Sequence, residues 1–229
     1  MLLFIDDRAP VTLVATATDT VDRSGSYTFA GLNFGDDYSN RTLVACIGLF
    51  AGSEQVLNQT SVTIGGSSAS GDDSGSSDPA GGVVPGSAAG CGVWAAKPAG
   101  TSGSVVVNFT SGTAGSAVLY LFSIYATSAT PFGQLLDISA GPGVSFPDSD
   151  SGTMAVPAEG VIIGGCSRAL NTGPITLTGL TQIADVTIDS VHRFAVGYAQ
   201  RLAANGSYPI GFTTATGNTV YGMRAASFS

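Results

Sequence analysis

Charge is what this chain has least of. Only 10% of its 229 residues are charged, against about 25% in an average soluble domain. Disorder through low hydrophobicity and high charge is excluded, because 44% of the residues are hydrophobic. Positive charge is scarcest: 8 Lys and Arg against 16 Asp and Glu give a net charge of −8. With the basic residues scattered singly, no patch can neutralise phosphates, so nucleic acid is not an expected partner. The composition is also not that of a helical protein, which would be rich in Glu, Lys, Leu and Arg. The polar surface must be built from Ser, Thr, Asn and Gly.

Other shortages remove whole classes of chemistry. Three cysteines, Cys46, Cys91 and Cys166, are widely spaced, which gives neither a disulfide framework nor a zinc site. They read as buried free thiols. The only histidine is His192. Ser190 lies two residues away, on the same face if the segment is a strand, but no G-x-S-x-G elbow or phosphate-binding glycine loop accompanies it. Only two glutamates, Glu54 and Glu159, are present, and no carboxylate pair is nominated for glycoside hydrolysis. No catalytic residue and no cofactor is expected. The longest apolar run, AVLYLFSIYA at 117–126, is far short of the ~20 residues of a membrane helix. The opening MLLFIDDRAP is too short and wrongly flanked for an export signal, so a soluble chain without an export signal and without membrane insertion is expected.

What is present is a series of short β-branched and aromatic runs broken by Gly, Ser and Asn. VTLVATAT (11–18) and SYTFAGLNF (26–34) alternate, with Tyr27 and Phe29 expected to be buried. RTLVACIGLF (41–50) is nearly continuous apolar, as a strand covered on both faces would be. Further runs follow at 61–66, 91–98, 104–110 and 117–125, and again from 153 to the end. This pattern predicts an all-β fold, an antiparallel β-sandwich or jelly roll.

The text also repeats. KPAGTSGSVVVNFTSGT (97–113) resembles RLAANGSYPIGFTTAT (201–216), and TLVACIG (42–48) matches GVIIGGC (160–166). Both copies follow an aromatic-bearing strand, with Trp94 in one and Tyr198 in the other. An internal duplication is expected, with halves 1–130 and 131–229. These halves form either one compact unit or two tandem sandwiches. The stretch GGSSASGDDSGSSDPAGGVVPGSAAG (65–90) lies within the first half and reads as an exposed, mobile insertion loop.

Two kinds of binding chemistry are conceivable. Calcium requires six to eight oxygens; the acidic turn PDSDSG offers Asp148 and Asp150, but too few ligands in sequence for a metal to be expected. A sugar-binding surface would use exposed aromatics beside carboxylates. The candidates are Tyr38 and Tyr208, with Asp72, Asp73 and Asp78 of the 65–90 segment; Trp94 and Tyr221 sit in apolar strands and read as core.

Four stretches carry a resemblance: the S-Y-T-F-x-G strand at Ser26–Gly31, the strand opening after an arginine at Arg41–Phe50, the V-T-I-G-G turn at Val62–Gly66, and the hairpin W-x-A-x-x-P-x-G-T-S-G-x-V-x-V at Trp94–Val107. Together they resemble β-rich virion structural proteins of tailed bacteriophages and gene-transfer-agent-like particles, over most of residues 24–229. The resemblance implies a non-enzymatic virion component: a tail-tip or baseplate fibre or spike involved in host adsorption, with a capsid decoration protein as the alternative. A lectin-like carbohydrate-binding module is the alternative from another class. The partners implied are other virion proteins, further copies of the chain with a trimer as the expected state, and a host surface polysaccharide or receptor.

Overall fold

A computed structural model describes residues 11–51, 57–77, 88–126, 128–139, 149–169, 173–214 and 220–229 of the chain. Among them every regular element is a β-strand, in this order: β1 (Val11–Asp19), β2 (Arg23–Asn33), β3 (Arg41–Ala51), β4 (Asn58–Ile64), β5 (Ser67–Ser68), β6 (Ser70–Ser77), β7 (Ala88–Ala96), β8 (Ser102–Ala114), β9 (Ser116–Tyr125), β10 (Gly133–Ser139), β11 (Ser149–Val156), β12 (Gly160–Ala169), β13 (Ile175–Thr178), β14 (Thr181–Thr187), β15 (His192–Leu202), β16 (Asn205–Thr214) and β17 (Val220–Phe228). They form four antiparallel sheets. Outer sheet I runs β2-β8-β4-β5, inner sheet II β1-β9-β3-β7-β6, inner sheet III β10-β17-β12-β15-β14 and outer sheet IV β11-β16-β13. The all-β sandwich architecture expected of the sequence is present, in four layers.

The layering follows from alternation along the strands. In β3, Leu43, Ala45, Ile47 and Leu49 face a core shared with Tyr27, Phe29, Val62 and Val107 of sheet I. Their neighbours Val44, Cys46 and Phe50 face a second core, shared with Phe194 and Val196 of sheet III. Successive side chains of a strand point to opposite faces, so a continuous apolar run gives a sheet buried on both sides. All eleven residues of β3 are buried. The second core continues through sheet III to Met154, Ile175, Ile210 and Phe212 of sheet IV.

Sheets II and III meet around Phe194. A Cβ on Gly48 would lie 2.7 Å from the Phe194 ring, and one on Gly165 would lie 2.9 Å from it and 2.7 Å from Cys46 Sγ. The two glycines leave the hollow that the ring fills, and Tyr120 stacks on it at 5.9 Å. Ser167 Oγ donates across the same interface to the Gly90 carbonyl at 2.7 Å. A buried polar group stays cheap here because it is paired.

The two inner sheets share a strand order. An edge strand (β1 in sheet II, β10 in sheet III) pairs with β9 or β17; the middle strands are β3 and β12, followed by β7 and β15. The repeated texts at 97–113 and 201–216 fall largely on β8 and β16, each an interior strand of an outer sheet.

The segment 65–90 differs from the loop expected. Gly65 and Gly66 make a left-handed turn, with φ of 58° and 81°. Ser70–Ser77 then form β6, paired residue by residue with β7 at the edge of sheet II. The sequence hides this strand because it contributes no large apolar side chain. Its small residues permit close approach instead: a Cβ on Gly71 would lie 2.2 Å from the Val93 carbonyl oxygen. Residues 78–87 lie outside the described residues. Likewise Ser149–Gly152 of the acidic turn belong to β11, paired with β16.

Candidate functional site

A concavity lies where β1, β2 and β9 meet the turn that leads into β3. It is a cleft of about 340 Å³ lined by Thr12, Leu13, Val14, Asn33, Gly35, Asp36, Tyr38 and Ser123. Its construction starts with an irregularity in β1. The register against β9 shifts between Leu13 and Ala15, which leaves Val14 as an extra residue. Such bulges re-aim side chains, and here Leu13 is left 43% exposed at the cleft. Opposite, Gly35 has φ of 72°, and a Cβ on it would lie 3.1 Å from Val14 Cγ1. Glycine is therefore required there for both conformation and space. Asn33 Oδ1 accepts the Gly35 N–H at 2.9 Å and closes the turn.

The turn is held from below by Arg41. Its side chain is 1% exposed. Nη2 donates to the carbonyls of Pro98 and Gly100, both at 2.7 Å, and Nη1 to those of Asp36 at 3.1 Å and Gly35 at 3.4 Å. Asp37 adds a charge partner at 3.4 Å, and its other oxygen accepts the Gly100 N–H at 2.7 Å. The Phe34 N–H donates to Thr101 at 2.8 Å. One guanidinium thus joins two chain segments about sixty residues apart in sequence; carbonyl dipoles meet its charge at Nη1 and Nη2, while Nε is buried without a partner.

Tyr38 forms the far wall. Its ring stacks on Tyr125 at 5.9 Å with an interplanar angle of 21°, and its hydroxyl is 3.2 Å from Ser123 Oγ. Asn40 Nδ2 donates to the Tyr125 hydroxyl at 2.8 Å. Asp36 is exposed at the rim, and its carboxylate makes no hydrogen bond or ion pair with the described residues. The walls are therefore part apolar and part polar, and the only charge sign at the rim is negative.

Tyr208 lies elsewhere. It borders a shallower groove of about 520 Å³ with Leu180, Thr181, Tyr198, Gln200 and Leu202, and its hydroxyl donates to the Gly179 carbonyl at 3.1 Å. No titratable carboxylate or cation borders it. The two aromatic candidates thus mark separate concavities.

Two aspartates of the 65–90 segment, Asp72 and Asp73, are fastenings. Asp72 pairs with Arg224 of β17, which also donates to Gln134 at 3.1 Å; this ties the edge of sheet II to sheet III. Asp73 accepts the backbone N–H of Gln59 and ties β6 to β4. Gln59 in turn accepts from Trp94 Nε1 at 2.8 Å and donates to the Ile47 carbonyl at 3.2 Å. Asp78 lies outside the described residues. So does Asp148; its neighbour Asp150 accepts from the Tyr221 hydroxyl at 3.4 Å. Among the described residues no group of three His, Cys, Asp or Glu side chains is placed to hold a metal ion.

The remaining reactive groups are internal. Cys46, Cys91 and Cys166 are free and buried, and burial pushes the thiols of Cys46 and Cys166 well above their ordinary pKa. His192 is buried against Phe50 at 5.0 Å, with Nδ1 2.6 Å from Asp189 Oδ2. Its Nε2 is buried with no partner, so no serine is aligned with it. Burial acts to raise the Asp189 pKa, but hydrogen bonds from His192 and the Val191 N–H outweigh it and bring the net value below the ordinary one.

Asn33 and Asp36 of the Tyr38 cleft were not singled out by the sequence. Their signal is the run N-F-G-D-D at 33–37, an Asx turn before glycine with a free carboxylate after it. No helix among the described residues is long and apolar enough to cross a membrane. Comparison of the chain with known protein families, curated proteins and solved structures gives no match.

Proposed function

We propose that this protein is a non-enzymatic structural component of a tailed-bacteriophage virion, a fibre or spike at the tail tip or baseplate that takes part in host adsorption. The observation that carries the reading is where the resemblance-bearing residues fall. Tyr27 of the S-Y-T-F stretch is fully buried, and its hydroxyl donates to the carbonyls of Val21 and Ala114 at 3.0 and 2.7 Å. Arg41 is the hub beneath the turn. Gly65 of the V-T-I-G-G turn packs where a Cβ would lie 2.7 Å from Pro98. Trp94 is held by Gln59. All four of these residues hold the scaffold together, which supports reading them as the framework of a building block.

The repeated strand order and repeated text support reading the two halves as an internal duplication. The inner sheets end in strands β1, β6, β10 and β14, whose outward backbone groups offer edges for association with further chains. A closed homo-oligomer, a trimer first, follows from assembly by symmetry. The test is the solution mass of the purified chain by light scattering. A mass three times that of the 22.8 kDa chain supports a spike or fibre; a monomer at all concentrations contradicts self-assembly.

A further inference from the structure

We propose that the cleft beside Tyr38 is a binding site for a single neutral pyranose unit of a glycan. The inference stands on the cleft and holds whether or not the chain belongs to a particle.

The occupant must match the walls. The Leu13, Val14 and Tyr38 surfaces are apolar, whereas Thr12, Asn33 and Asp36 present hydroxyl, amide and carboxylate groups. A wholly apolar ligand would desolvate the Asp36 carboxylate without replacing its hydrogen bonds, which is costly. An anionic ligand such as a phosphate or a sugar acid would be repelled by Asp36, with no cation in the cleft lining. A pyranose carries what remains: C–H faces that pack on an aromatic ring and hydroxyls that donate to a carboxylate. Carboxylates accept several such bonds, and bonds to a charged acceptor are the stronger ones. The volume of about 340 Å³ suits one ring and lies at the small end of the ~300–1,000 Å³ range of ligand sites.

Rigidity is the second support. The Tyr38 ring is fixed by Tyr125, and the Gly35–Asp36 backbone by Arg41 and Asn33. Ligand binding would then order little that is not ordered already, which is the condition for measurable affinity from few contacts. The Asp36 carboxylate, exposed at the rim, is left unused by the fold among the described residues.

The experiment is saturation-transfer-difference NMR on the full-length chain. The ligands are methyl glycosides of glucose, galactose, mannose and N-acetylglucosamine, with glucuronic acid and a lysine-containing peptide as contrasts. Binding of at least one neutral glycoside is expected. Asp36→Asn and Tyr38→Ala should each weaken it by about tenfold or more, equal to about 1.4 kcal/mol, and Tyr208→Ala should leave it unchanged. Asp36→Asn alters a side chain with no protein partner, so its effect is not one of folding; an unchanged unfolding midpoint checks this. Four results would overturn the proposal: no neutral glycoside bound, binding that survives Asp36→Asn, binding lost in Tyr208→Ala instead, or preference for the acid or the peptide.

Discussion

Arg41→Met should expose how much of the first half depends on one side chain. The substitution keeps a similar apolar stem and removes a guanidinium that donates to four carbonyls. The bond to Pro98 is buried, so its acceptor is left without water, at about 1–3 kcal/mol. The other three are partly exposed, water replaces much of each, and the loss is about 0.5–1 kcal/mol apiece. Relief from desolvating a charge offsets part of the sum, and about 3 kcal/mol remains. For a chain of this length that lowers Tm by about 6–12 °C. Trp94, the only tryptophan and 8% exposed, reports unfolding by fluorescence. Hydrogen exchange should rise at 34–40 and 98–101 before it rises elsewhere. Arg41→Lys should recover only part of the loss, since an ammonium cannot span two segments as a planar fork does. A loss under about 1 kcal/mol, or unchanged exchange in both segments, would refute the role assigned to Arg41.

Other outcomes follow from the same geometry. Gly165→Ala puts a methyl group 2.7 Å from Cys46 Sγ and 2.9 Å from the Phe194 ring; overpacking of this kind should cost about 1–3 kcal/mol in urea unfolding. The native thiols should be silent toward Ellman's reagent at pH 8, because burial holds Cys46 and Cys166 in the protonated form, and all three should react once the chain is unfolded. The Asp189 pKa lies below its ordinary 3.8 in the folded protein. Its contribution to stability is therefore complete above about pH 4 and is lost as pH falls through the lower folded value. Asp189→Asn should flatten the acid limb of the stability curve below pH 4 and leave the slope above it unchanged.

Much of the fold was legible because strands with large apolar side chains announce themselves. The unbroken apolar run of β3 required two covering layers, and it has them. Alternation at Tyr27 and Phe29 marked a sheet with one buried face. The similar texts at 97–113 and 201–216 lie mainly on β8 and β16, one in each outer sheet. β6 was illegible because backbone pairing and two aspartate fastenings hold it, and periodicity detects neither. The number of layers was hidden for a related reason: a sequence shows that a face is apolar, not which sheet covers it. Of the site, Tyr38 and Tyr208 were nominated as exposed aromatics; both are half-buried and border separate concavities. Asp36 and Asn33 acquire meaning only when the bulge at Val14 and the left-handed Gly35 bring the two strand ends together. Asp72 and Asp73 looked like a free acidic surface, and their partners, Arg224 and Gln59, lie on other strands.

The claim that this chain is a particle component is tested most directly by immunogold electron microscopy. The antibody is raised against the purified chain and applied to phage-like particles recovered from cells that make the chain. The account predicts gold at the tail tip. Gold on the head alone contradicts the fibre assignment, and particles that carry no gold contradict the virion role itself.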